Sequence, residues 1–75
     1  MERQYEIRFV IWSNKKIQTF RMFVTRANSY AEAMQNFIDW ANSPEPKTDA
    51  RGKAFSFDRL PVTEKYVISI ARIDW

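Results

Sequence analysis

The chain has 75 residues, twelve Lys and Arg against nine Asp and Glu, a net charge of +3, and neither Cys nor His. This length supports one domain, residues 1–75, with a margin of roughly 3–5 kcal/mol from a single core. The missing residue types exclude disulfides, the commonest zinc sites and nucleophilic triads built on His or Cys, and the single glycine excludes P-loop and dinucleotide fingerprints.

After a short lead-in, residues 4–12 read as a strand: Tyr5, Ile7, Phe9 and Ile11 alternate at period 2 and form one apolar face. A turn at Asn14 and Lys15 sends the chain back as a second strand over 17–26. The expected register sets Phe9 opposite Phe20, Ile7 opposite Met22 and Tyr5 opposite Val24, so that apolar side chains meet across the hairpin. The Lys15–Lys16 tip reads as solvated.

Ser29 and Glu32 form a capping box that starts a helix. Tyr30, Ala33, Met34, Phe37 and Ala41 make its apolar stripe, flanked by Ile38 and Trp40. The helix should end near Asn42 or Ser43, because Pro44 disfavours helical geometry in the residue before it. Residues 43–53 read as a polar, mobile loop, 54–57 as a short optional strand, and 60–62 as irregular. Residues 65–73 form a final strand rich in β-formers, apolar on both faces and therefore expected inside the sheet.

The expected fold is α+β: a single two-layer sandwich, β-β-α-(β)-β, with one helix on one face of a mostly antiparallel sheet. Crossover logic places the final strand beside the first, giving the order two-one-four. Many small proteins share this layout, accessory proteins of bacterial viruses among them; the likeness is of fold alone and transfers no residue.

The other sheet face carries the functional expectation. In the register above, Glu6, Arg8, Val10 and Trp12 point away from the helix, beside Phe23, Arg21, Thr19 and Ile17. With Ile68 and Ile70 facing in, Val67, Ser69, Ala71, Ile73 and Trp75 complete that face. It is too apolar for a face meeting only water, and it sets Arg8 directly opposite Arg21, a like-charge pair that an anion would relieve. The aromatic content of 16% also exceeds what a thin core needs, as interfaces do.

The partner-binding residues are thus Arg8, Val10, Trp12, Ile17, Arg21, Phe23, Ile73 and Trp75, with Trp12 and Phe23 as anchors. No catalytic residue, metal or cofactor is expected, since Glu32, Asp39 and Glu45 lack ligand spacing and the other acidic residues are scattered. The expected function is a small non-catalytic protein-binding module, an inhibitor or adaptor of viral or mobile-element type, whose partner is another, acidic protein. The alternative is single-stranded nucleic-acid binding by the same face. A third occupant is a second copy of the chain, stacked face to face. No apolar run approaches bilayer length and no apolar h-region follows the N-terminus, so the chain is expected in the cytoplasm, without a membrane.

Overall fold

The computed structural model describes residues 1–12, 18–57 and 59–74, with the backbone alone at Trp12 and Gln18. Its elements are β1 (Arg3–Trp12), β2 (Gln18–Ala27), α1 (Tyr30–Asn42), β3 (Lys47–Thr48), β4 (Ala54–Phe55), a 3-10 turn (Glu64–Tyr66) and β5 (Val67–Arg72). β1 pairs antiparallel with both β2 and β5, giving the order β2-β1-β5, and β3 and β4 form a second, two-stranded sheet. The α+β architecture and the strand order match the sequence expectation. The segment 54–57 does not extend the main sheet. β5 is therefore an edge strand and not an interior one.

Local chemistry explains the helix. Ser29 Oγ accepts the Glu32 backbone N–H at 3.1 Å, and Asn28 Nδ2 donates to the Glu32 carboxylate at 3.3 Å. Ala33, Phe37 and Ala41 are buried along the apolar stripe. Ser43 leaves the helix in an extended conformation ahead of Pro44. Asn36 ties α1 to β2, donating through Nδ2 to Arg26 O and Thr25 Oγ1, each at 3.2 Å.

The hairpin register differs by one residue from the apolar-pair expectation. Ile7 faces Phe23, Phe9 faces Arg21 and Tyr5 faces Thr25. β1 keeps its expected inner face, with Tyr5, Ile7, Phe9 and Ile11 all buried. β2 is turned over, since a one-residue slip exchanges every side chain between faces. Phe23 lies on the helix side, stacked on Trp40 with ring centroids 4.5 Å apart, and Phe20 is 64% exposed on the other side. The physical reason is long-range. Arg21 is acceptable beside the core because its Nη1 donates to Asp49 Oδ2 at 2.7 Å and its guanidinium lies over the Phe55 ring. The turned strand in exchange buries a large aromatic against α1.

β5 carries a second departure. A register shift opposite Arg8 and Phe9 bulges the strand at its start, so that Val67 and Ile70 pack on the core and Ile68 is 54% exposed. Ile68 was expected inside and Val67 outside. The bulge breaks the period-2 pattern on which both expectations rested.

Residues 43–57 and 59–66 are packed and not a loose loop. They bring Phe55 and Phe57 within 5.7 and 5.6 Å of Phe9 and close the part of the sheet that α1 leaves open. Phe9, Phe23, Phe37, Trp40, Phe55 and Phe57 form one aromatic cluster, which accounts for much of the aromatic content attributed above to an interface. Lys47 is buried and donates to Ser43 O, Ser43 Oγ and Glu45 O at 2.8, 2.9 and 2.6 Å, just beyond the C-terminal end of α1. Asn42 grips Val62 from both sides: Asn42 Nδ2 donates to Val62 O at 2.9 Å, and Val62 N–H donates to Asn42 Oδ1 at 2.7 Å. No helix among the described residues is long and apolar enough to cross a membrane.

Candidate functional site

The sheet face away from α1 is where unpartnered chemistry collects. The observed register puts Val24 opposite Glu6, Met22 opposite Arg8 and Phe20 opposite Val10 on this face. Ser69 and Ala71 of β5 stand on the other side of Arg8 and Glu6, and the bulge aims Ile68 the same way. Bulges recur where a strand must re-aim one side chain. Among the described residues, Phe20 and Ile68 are the most exposed apolar ones of this face, and Val24 and Ile73 are exposed to 37% and 38%.

A turn then borders the face along β2. Ala50 N–H donates to Met22 O at 2.9 Å, docking the turn of the β3–β4 hairpin on the otherwise open β2 edge. The turn is built around Asp49. Its Oδ1 accepts the backbone N–H of Arg51 at 2.9 Å and of Lys53 at 3.0 Å, while its Oδ2 holds Arg21. Gly52 takes a φ of +81°, in the left-handed region that favours glycine. The Arg21 hydrogen bond holds the Asp49 carboxyl below its ordinary range, burial opposes the shift, and the two turn amides add to the lowering.

Together the face and the turn enclose a groove of about 680 Å³. Among the described residues, Phe20, Met22, Ile68 and Ala50 supply apolar lining, Arg8, Arg21, Arg51 and Lys53 supply positive charge, and Asp49 supplies a carboxylate. Arg8 Nε donates to Glu6 Oε1 at 3.1 Å in an exposed pair of little energetic weight.

Of the residues expected at the site, Arg8, Val10 and Ile73 stand on the outer face, although Val10 is 8% exposed and offers little to a partner. Phe23 and Arg21 do not: Phe23 belongs to the core, and Arg21 reaches the groove only from the β2 edge. The expected Arg8–Arg21 opposition is absent, because Arg8 faces Met22 and Arg21 pairs with Asp49. The side chain of Trp12, the residues Ile17 and Trp75, and the turn at Asn14 and Lys15 lie outside the described residues. Sequence reasoning missed Phe20, Met22, Val24 and Ile68, which it assigned to the core, and Arg51 and Lys53, which it left in a loop. A signal for the last pair was available, since Asp49 and Gly52 around Arg51 are turn-forming residues.

Comparison with known protein families, with curated proteins and with solved structures returns no match. The groove can hold apolar groups and anions. Among the described residues no three acidic side chains come together.

Proposed function

We propose that this chain is a small non-catalytic protein-binding module, acting in the cytoplasm as an inhibitor or adaptor, and that it docks its partner on the outer sheet face. The observation that carries this reading is that Phe20, Met22 and Ile68 line one groove, with Val24 also exposed, on the face that no described part of α1 covers. Isolated exposed apolar residues are ordinary, whereas a continuous patch on a sheet face is a mark of association. Phe20 takes the anchor role expected of Phe23, since exposed aromatics dominate interface energetics once buried.

A photo-crosslinking phenylalanine analogue at position 20 tests the reading in lysate of the native host. It should yield a discrete protein adduct, which excess wild-type chain competes away and excess Phe20→Glu chain does not. The same analogue at position 30, on the helix, is the control, because Tyr30 is 55% exposed, packs on Tyr5 of the helix-side face and does not line the groove. Identical products from both positions, or adducts to nucleic acid at position 20, defeat it.

A further inference from the structure

We infer that the occupant of the outer-face groove is an acidic, partly apolar segment of a partner protein, its carboxylates meeting Arg51 and Lys53 and an apolar side chain lying between Phe20 and Ile68. The inference rests on the protein-binding reading and adds the chemistry of what is bound.

Charge distribution argues it first. Of the chain's twelve Lys and Arg the described groove lining takes four, and of its nine Asp and Glu it takes one, so the rest of the chain carries eight of each. The groove lining thus carries a net +3, which Glu6, paired with Arg8, reduces to +2, while the rest of the chain is close to neutral. Within it, Asp49 is fully engaged by Arg21 and two turn amides, and Arg8 has Glu6. No side-chain hydrogen bond or ion pair is formed by Arg51 or Lys53 among the described residues. These two cations are exposed and have no counter-charge among the described residues, and a positive concave surface draws in a negative partner.

Their placement is also fixed in advance. The Asp49 carboxylate locks the backbone of both residues, the Gly52 N–H donates to Asp49 O at 2.9 Å, and the Ala50 contact holds the turn against β2. A turn ordered before binding spares the partner that ordering cost. The rest of the lining decides the class of partner. Phe20 is the only aromatic ring among the described lining residues, beside Met22, Ala50 and Ile68. A single-stranded nucleic acid needs successive rings on which to stack its bases. An aliphatic floor with one ring suits Leu, Ile or Phe side chains flanked by Asp or Glu.

Selection from a phage-displayed random peptide library on the immobilised chain at low salt tests the inference. The recovered peptides should be enriched in Asp and Glu around an apolar residue. Their affinity should fall about tenfold or more in the Arg51→Glu/Lys53→Glu double variant, and fall again with added salt. The turn uses the backbone of those two residues, so the melting temperature of the double variant should stay near wild type. Charge-swapped peptides, with Lys for Glu, should recover binding to it. Neutral or basic peptides, or acidic peptides indifferent to the double variant, overturn the inference. If Phe20→Ala still abolishes their binding, the protein-binding reading survives alone. An oligothymidylate that displaces the peptides at comparable concentration also overturns it, in favour of nucleic acid, and a library that yields no binder defeats both readings.

Discussion

Asn42 shows how one side chain can decide where a whole segment lies. It satisfies both backbone groups of Val62, which is 1% exposed, and also donates to Ile38 O within α1. Asn42→Ala leaves a buried N–H and a buried C=O without partners, so stability should fall by about 2 kcal/mol, read from urea unfolding. A loss under about 0.5 kcal/mol, the range of ordinary surface changes, would mean that Val62 is held by packing alone. Asp49 acts at the same scale through charge. Arg21 keeps its carboxyl below the ordinary value of 3.8, so its stabilising contribution is complete above that pH and is lost as pH falls through the lowered folded value. Asp49→Asn should unfold at lower denaturant than wild type near neutrality, and the gap should narrow once pH drops well below 3.8. A gap unchanged by pH would mean that the carboxylate's charge, through Arg21 and the turn amides alike, does not carry the effect.

At the scale of elements, the hairpin separates what could be read from residues nearby and what could not. The inner face of β1 was legible because four apolar residues alternate without exception, and the start of α1 because Ser29 and Glu32 are local chemistry. The face of β2 was not. Phe20, Met22 and Val24 outscore Arg21, Phe23 and Thr25 in apolarity, yet the second set faces the core. What reverses the choice is Asp49, 28 residues beyond Arg21, together with Trp40 on the helix. The same holds for Ile68, whose direction follows from a bulge that no residue pattern announces. Two substitutions check the register directly. Phe23→Ala removes a ring stacked on Trp40 and in contact with Phe37, and should cost about 3 kcal/mol, most of the margin available to a domain of this size. Phe20→Ala removes an exposed ring and should stay within about 0.5 kcal/mol. The opposite ranking in thermal or urea unfolding would restore the apolar-pair register.

Among the described residues, α1 covers one side of the sheet and only the β3–β4 turn borders the other, so the remaining question is whether a second copy fills that side. Two-fold stacking would bury Phe20, Ile68, Val24 and Ile73 reciprocally, and two-fold symmetry is the commonest in assemblies. The charge pattern opposes it. Cations outnumber carboxylates at the groove, so stacking two outer faces brings two positive grooves together with Asp49 already engaged in each. Edge-to-edge pairing is resisted as well: β2 is covered by Ala50 and Asn36, and β5 is six residues long, bulged at its start and ended by Arg72. The chain should therefore sediment as a monomer at micromolar concentration in low salt. Any self-association should grow as salt rises and screens the grooves, within the roughly 10 Å over which exposed charges act at about 0.1 M. A low-salt dimer that weakens with added salt and is abolished by Phe20→Glu would give the outer face to a second copy and take it from a foreign partner.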